Sequence, residues 1–417
     1  MENNTVNSLE KNKSNLVYFL AALGPGFILA ATSIGPGSIV TATNAGAGFG
    51  YTLFWWFIVI LIFRAIFSMA MNRYTIVTGK PLMVGIRDKY GAGWAITAGV
   101  FAFIGQFIYG IGNFMGSGLG INMLFPGIPV KYGGLIAVVI SAALFFLKNL
   151  YIKIEVFMKI LVGLMAVIFI VSLVMTFGIP YDGTVSHSLI GLPAGGMAIM
   201  LSLLGTTASL GTCAWGSSLA KDKGYTVTDI KRGGMRTDVI VSMICIGAIS
   251  LCCFFVGANL LPGKPIGNGM QLVNALSGLF GNFIRPIFGI GFLAAALSSL
   301  MMAPKLGINL LLQSLNKQSG MNSKLENYIS IVMLVLGGVV AWLYSGIPAQ
   351  LLTLAQIGGG INTPILGVMT ILLVNRKDEM GQFKIGKSYT TALIISYLVI
   401  MVTVVNNGIN IVSGLIK

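Results

Sequence analysis

Acidic residues are scarce in this chain, and several other chemical groups are almost missing. Among 417 residues there are 11 Asp and Glu, 26 Lys and Arg, one His and four Cys, so that only 9% are charged. So few charges cannot cover the surface of a soluble globule of this length. The single His187 and four scattered Cys disfavour a metal cluster or a disulfide framework, and no nucleophile–base pair points to an enzyme.

Long apolar runs take the place of charge. Hydrophobic residues make up 56% of the chain, in stretches near the roughly 20 residues that one helix needs to cross a bilayer. The sequence therefore predicts an all-α polytopic membrane protein with the lipid bilayer as its surroundings. We predict eleven transmembrane helices, at 17–47, 52–78, 93–124, 133–149, 155–178, 193–219, 237–260, 281–312, 327–345, 349–375 and 388–415.

The net charge of +15 is distributed unevenly between the joints of these spans. With residues 1–16 as a cytoplasmic tail, most Lys and Arg fall on the inner side, and only Lys131, Lys264 and Lys417 fall outside. Positive charge marks the cytoplasmic side of membrane proteins. We expect a prokaryotic inner (plasma) membrane, a cytoplasmic N-terminus, an outer C-terminus and no nucleic-acid partner; a monomer is compatible with this but the oligomeric state is open.

Two predicted spans are interrupted near their middle. Span one contains Gly35-Pro36-Gly37, and span six contains a Gly- and Thr-rich run at 205–212. Broken helices in corresponding positions, five spans apart, are typical of a 5+5 inverted repeat with the substrate site between the breaks. We predict one transporter domain over 17–417, with repeats at about 17–178 and 193–375 and an extra helix at about 388–415.

The first break lies in a longer pattern that resembles a known family. Gly35-Pro36-Gly37-Ser38 and the following stretch Ala45-Gly46-Ala47-Gly48-Phe49-Gly50-Tyr51-Thr52-Leu53-Phe54-Trp55 resemble the DPGN and AGAxFGYxLLW motifs of the Nramp family of divalent metal transporters. The resemblance continues through Val77-Thr78-Gly79-Lys80, Leu297-Ser298-Ser299 and Asn362-Thr363-Pro364. It implies a LeuT-type fold with broken helices 1 and 6.

The resemblance fails at the residues that carry the family's chemistry. The metal-binding Asp and the Asn of DPGN fall on Gly35 and Ser38. The family's Met-Pro-His in helix six falls on Ser209-Leu210-Gly211, its second His on Gly216, and its helix-ten Gln on Asn362. Two acidic residues of helix three fall on Gly110 and Asn113. None of the family's metal ligands is therefore retained.

The sequence favours a secondary transporter that has lost metal binding and carries a small anion, with bicarbonate as the best guess. All eleven carboxylates lie in loops or at span ends, whereas a helix start at Pro36 presents free N–H groups that attract anions. The predicted substrate site consists of Ser33, Gly35, Pro36, Gly37, Ser38, Thr207, Ala208, Ser209, Leu210, Gly211 and Thr212.

Two alternatives remain open. The first is a divalent cation transporter for magnesium or manganese, in which carbonyls, hydroxyls and retained water hold the ion. The second is a non-transporting sensor or assembly partner on the same scaffold. Transport assays and isothermal titration with the two metals distinguish the three.

The sequence also bears on the coupling ion and on basic residues inside the predicted spans. No resident cofactor is expected; Thr32, Ser298 and Ser299 form a possible site for a coupling Na⁺, and transport without coupling is the alternative. Arg64 lies in mid-span, where a charge is costly and is a functional candidate. Arg285 and Lys305 are expected to lie near span ends with their charges reaching the membrane surface.

Overall fold

A computed structural model describes residues 18–19, 22–147, 149–176, 188–264, 266, 269–343 and 360–416. The predictions for tail 1–16, for His187 and for the first part of span ten lie outside these residues. In the described part of the chain every regular element is a helix. The helices are α1 (Pro25–Ser33), α2 (Pro36–Phe49), α3 (Phe54–Thr78), α4 (Leu82–Tyr90), α5 (Ala92–Leu124), α6 (Val130–Leu144), α7 (Leu150–Val174), α8 (Gly196–Thr207), α9 (Leu210–Lys223), α10 (Val227–Arg232), α11 (Gly234–Leu260), α12 (Gly269–Phe280), α13 (Ile284–Ser314), α14 (Lys324–Leu343), α15 (Thr363–Val374), α16 (Lys377–Met380) and α17 (Lys387–Ile416), with a 3₁₀ turn at Gly381–Phe383.

Ten of the eleven predicted spans contain a helix or a broken pair of helices among the described residues; of the tenth, 349–375, only the end with α15 is described. In the described residues, seven helices are long and apolar enough to cross a membrane, or up to nine if each sharply bent pair is one span. Helices α6 and α15, at the fourth and tenth predicted spans, are shorter apolar helices. The sequence analysis did not predict the connecting helices α4, α10, α12 and α16. The bounds of the two repeats and the orientation in the membrane stay predictions.

Small residues let the helices around the first break pack closely. A Cβ atom on Gly46 in α2 would collide with the carbonyl oxygen of Phe254 in α11, and one on Gly257 would collide with that of Thr43. These reciprocal contacts mean that α2 and α11 touch backbone to backbone, as small residues allow in membrane helices. Helices α13 and α5 form the most extensive packing pair, and together these contacts fix the surroundings of the break.

Candidate functional site

The first break lies between α1 and α2, which are bent by 64°. Gly35 precedes α2 and Pro36 begins it, because the missing N–H of a proline costs nothing in the first turn of a helix. The hydroxyl of Ser38 closes the turn: it accepts from the Gly35 N–H at 2.8 Å and donates to the Gly35 carbonyl at 2.7 Å. One of the N–H groups predicted to attract an anion is thus already bonded within the protein.

The second break separates α8, which ends at Thr207, from α9, which begins at Leu210. Unlike the first, it leaves residues Gly196–Lys223 straight enough to form one span. The backbone N–H of Ala208 donates to the Leu204 carbonyl at 2.9 Å and that of Cys213 to the Ser209 carbonyl at 3.3 Å. The predicted residues from Thr207 to Thr212 are all buried here.

Arg64 connects the two breaks. Its side chain is completely buried, and Nη1 donates to the Ser33 hydroxyl at 2.7 Å and to the carbonyl of Thr207. Nη2 donates to the Leu29 carbonyl at 3.4 Å. These acceptors lie at the C-terminal ends of α1 and α8, where the helix dipole favours a positive charge. The predicted mid-span Arg64 therefore stabilises both half-helices.

A small cavity of about 10 Å³ lies beside the breaks, the size that holds about one water molecule. The cavity walls come from Thr32, Gln106, Tyr109, Gly205, Thr206, Ser209 and Thr212. All of these residues are buried, so the structure is closed at this point. Thr206 belongs to the predicted break at 205–212, whereas Gln106 and Tyr109 were not predicted, because nothing in their local sequence separates them from ordinary packing residues.

The hydroxyl groups at the breaks are oriented in a common way. Thr32 donates to the Ile28 carbonyl at 2.6 Å, Ser33 to the Leu29 carbonyl at 2.7 Å and Thr206 to the Ser202 carbonyl at 3.2 Å. Their protons are thus given to their own helices, as is usual for such residues in membrane helices. Thr32 and Thr206, which line the cavity, therefore present oxygen lone pairs to it, and these accept hydrogen bonds or bind cations; the Ser33 oxygen accepts from Arg64.

Two buried amide oxygens strengthen this character. Gln106 Oε1 and Asn362 Oδ1 are buried and have no hydrogen-bond partner among the described residues. Amide oxygens left without partners inside a protein are costly, and they are good ligands for hard cations. The site as a whole is therefore rich in oxygen acceptors.

Other side chains fill the space beside three glycines at which the resemblance places an Asp and two His of the family. A Cβ on Gly35 would lie 2.5 Å from the Tyr109 hydroxyl and 3.0 Å from Asn113 Oδ1. A Cβ on Gly211 would collide with the Asn362 amide, and one on Gly216 would lie 2.6 Å from Leu29 Cδ1. The three glycines are thus matched by larger neighbours rather than by empty space.

The predicted sodium-site residues lie together around the end of α1. Ser298 donates to the Ala31 carbonyl at 2.9 Å, and Ser299 donates to the Thr32 carbonyl at 3.1 Å. The Tyr109 hydroxyl lies 3.4 Å from Ser299 Oγ. The cluster of Thr32, Ser298 and Ser299 therefore joins α13 to the first break, while sodium binding there stays a prediction.

Carboxylates lie elsewhere. Asp238 of α11 accepts from the N–H groups of Gly24 and Gly26 at 2.9 and 2.8 Å, so it caps α1 at the end opposite the break.

Lys305 is fully buried and pairs with the equally buried Glu326 at 2.8 Å, which shows that the expectation of a charge reaching the membrane surface was wrong for Lys305. In the described ranges no group of three or more His, Cys, Asp or Glu could hold a metal.

A bundle of apolar helices with two broken spans around a buried polar site is the architecture of a LeuT-type membrane transporter. The fold matches MhsT, solved with L-phenylalanine, with a TM-score of 0.60 at 14% identity over 91% of this chain and 98% of that one. A manganese transporter of Eremococcus coleocola matches more closely, with a TM-score of 0.75 at 16% identity over 92% of this chain and 85% of that one.

Sequence comparison identifies the family. The model of the natural resistance-associated macrophage protein-like (Nramp) family matches residues 26–411, and the chain therefore belongs to this family. One relative is the divalent metal cation transporter MntH of Yersinia pestis, which is 24% identical over 94% of this chain and 95% of the relative. Family membership makes the chain an integral membrane transporter.

These findings overturn the prediction of bicarbonate, or any small anion, as the transported partner. The relatives are named for divalent metal cations and a close structural neighbour for manganese; no comparison supports an anion. The physical error was to count Ser33, Ser38 and the Gly35 N–H as donors free to bind an anion, whereas all three are bonded to the backbone or to each other.

Proposed function

We propose that this protein transports a divalent metal cation, with magnesium or manganese as the substrate. The observation that carries the proposal is the oxygen-rich cavity at the two breaks. The hydroxyls of Thr32 and Thr206 have given their protons to backbone carbonyls, and Gln106 Oε1 is buried without a partner. Hard cations such as Mg²⁺ and Mn²⁺ bind such oxygens, while softer metals prefer sulfur and imidazole.

The charge of the ion would be only weakly balanced. In the described part of the chain the residues lining the cavity include no carboxylate, and the Arg64 guanidinium adds a positive charge at the breaks. The number of charged ligands sets the affinity of a hard-cation site. We therefore expect weak binding, with a Kd of about 10⁻³ M, and an ion that keeps several of its water molecules.

The closed cavity is too small for such an ion. About one water molecule fits in 10 Å³, so loading would require the helices at the breaks to move apart. Opening on one side of the membrane at a time is the general behaviour of transporters with paired broken helices. Tyr109 and Asn362, which fill the space beside Gly35 and Gly211, are the side chains that would move.

Uptake into proteoliposomes tests the proposal. Vesicles with the full chain should take up Mg²⁺ or Mn²⁺ saturably, and Gln106→Leu should lower uptake about tenfold by removing one ligand oxygen, the effect of about 1.4 kcal/mol of binding energy. The matched control is Gln382→Leu, since Gln382 is exposed and should not affect uptake. Equal uptake by vesicles without protein, or by the Gln106 variant, would contradict the proposal.

We propose separately that transport is coupled to sodium, which the same uptake assay tests. The contacts of Ser298 and Ser299 with the carbonyls of Ala31 and Thr32 support a cation at this position. An inward sodium gradient should accelerate metal uptake, and Ser299→Ala should remove that acceleration while leaving the basal rate. Identical rates with and without sodium would exclude coupling but not metal transport.

A further inference from the structure

A second, larger cavity lies away from the breaks, between helices α3, α11 and α17 and the short α10. Its volume is about 460 Å³, and six of its nine lining residues are apolar. The three polar ones are Arg73, Arg236 and Tyr389. This end of α3 and α11 faces the predicted cytoplasmic side, so the cavity lies where the bilayer meets the aqueous phase.

Neither arginine forms an ion pair with a residue that the structure describes. Among the described residues, Arg73 and Arg236 take part in no ion pair, and Arg73 Nε is buried without a hydrogen-bond acceptor. Elsewhere at this end, acids are occupied: Asp229 accepts from the Thr226 N–H at 2.8 Å and from Tyr18 at 2.7 Å. Two guanidiniums without an ion-pair partner among the described residues therefore line one cavity, and one of them has a buried donor that nothing accepts.

The remaining polar group does not supply the missing acceptor. The Tyr389 hydroxyl donates to the Ile66 carbonyl at 2.7 Å, and none of the described residues that line the cavity is an Asp or a Glu. Guanidinium groups bind phosphate oxygens in pairs of parallel hydrogen bonds, more strongly than they bind neutral acceptors. A phosphate with two guanidiniums around it would satisfy the unpaired donors.

The apolar part of the cavity indicates the source of that phosphate. Met69, Ile240 and Ile385 line it, and Ile240 is 39% exposed, with Ile244 one turn further along α11 63% exposed. Ile240 and Ile244 thus extend from the arginines along a face of α11 that the hydrocarbon of the bilayer would cover. Basic pockets between membrane helices at the cytoplasmic surface suit the headgroups of anionic lipids.

We propose that this cavity binds an anionic phospholipid, with its phosphodiester between Arg73 and Arg236 and an acyl chain along Ile240 and Ile244. The lipid would connect α3, which carries Arg64, with α11, which carries Asp238, and with α17. The proposal is independent of which ion is transported.

Native mass spectrometry of the full chain in detergent tests it with phosphatidylglycerol and phosphatidylcholine as probes. Each arginine near a membrane surface contributes about 1 kcal/mol, or about fivefold, to binding an anionic lipid. Arg73→Gln with Arg236→Gln should therefore weaken phosphatidylglycerol binding about 25-fold and leave phosphatidylcholine binding unchanged. The control, Lys153→Gln with Lys317→Gln, removes two exposed charges and should retain the lipid.

Two further arms keep the test decisive. Arg236 is exposed, so Arg236→Gln alone should fold normally and still weaken binding about fivefold. Inorganic phosphate tests for a free anion. If phosphate raises the melting temperature of the wild-type protein but not of the double arginine variant, and phosphatidylglycerol binds both equally, the site takes free phosphate and the lipid proposal is wrong. Equal phosphatidylglycerol binding by both double variants would also overturn it.

Discussion

The two ends of helix α1 lie in contrasting electrostatic environments. Its N-terminus is capped by Asp238, near the paired charges of Glu155 with Lys159 and Lys223. Its C-terminus, at the break, contacts the Arg64 guanidinium, which no carboxylate balances among the described residues. Both charges suit the helix dipole, but only one end is electrically neutral.

The contrast separates a structural region from a functional one. The described carboxylates at the predicted cytoplasmic end are engaged with backbone N–H groups, Lys or Arg, and removing a partner should cost stability. Around the breaks, neutral oxygens and glycines dominate, and changes there should affect the site more than the fold. Three substitutions test this division, in order of expected effect on stability.

Lys305→Met should have the largest effect. The side chains of Lys305 and Glu326 are both fully buried. Removing one partner of a buried ion pair leaves an uncompensated charge, at a cost of about 3–5 kcal/mol. The free energy of unfolding, measured by titration with denaturant in detergent, should fall by that amount. Lys153→Met, at an exposed position, should leave it unchanged; a similar loss in both would show that the pair contributes nothing specific.

Asp238→Ala should come next. It leaves the N–H groups of Gly24 and Gly26 without their acceptor, and each unsatisfied buried group costs about 1–3 kcal/mol. We expect a loss of about 2–4 kcal/mol and easier modification of cysteines introduced along α1. Asp238→Asn, which keeps one acceptor oxygen, should lose about half as much. An unchanged melting temperature for the Ala variant would contradict the capping role.

Gly35→Ala should lower the free energy of unfolding least of the three, and a second substitution should restore it. The added Cβ would lie 2.5 Å from the Tyr109 hydroxyl, and such overpacking costs about 1–3 kcal/mol. Adding Tyr109→Phe removes the colliding oxygen and should restore most of the loss, which a double-mutant cycle measures. Gly48→Ala is the control, because a Cβ there meets nothing within 4 Å; additive effects of the two substitutions would place Tyr109 away from Gly35.

Several features of the fold could be predicted from the sequence because their causes are local. Apolar stretches of bilayer length identified the spans, and Gly35-Pro36-Gly37 and the run at 205–212 identified the breaks, since proline and glycine interrupt a helix wherever they occur. The Nramp motifs around Ala45–Trp55 predicted the family correctly. Short connecting helices such as α4 were missed because they carry no span-length apolar pattern.

The substrate prediction failed for a non-local reason. Ser33 and Ser38 were counted as available donors, but the direction of a hydroxyl proton depends on which carbonyl lies within reach. Gln106 and Tyr109 were overlooked because attention fell on Gly110 and Asn113 of the same helix, and only the packing of that helix against the breaks shows which of its side chains line the cavity. Lys305 was assigned to the membrane surface because its partner Glu326 lies 21 positions later, in the next helix.

By itself, the sequence determined that this is a many-span helical membrane protein with two broken helices and without a carboxylate at mid-span, because hydropathy and helix-breaking are properties of neighbouring residues. Only the tertiary structure decided that Arg64 joins both breaks, that Tyr109 and Asn362 fill the space beside two glycines, and that the site presents oxygen acceptors. Those features depend on side chains brought together from distant helices, which pack in one arrangement that no local pattern specifies.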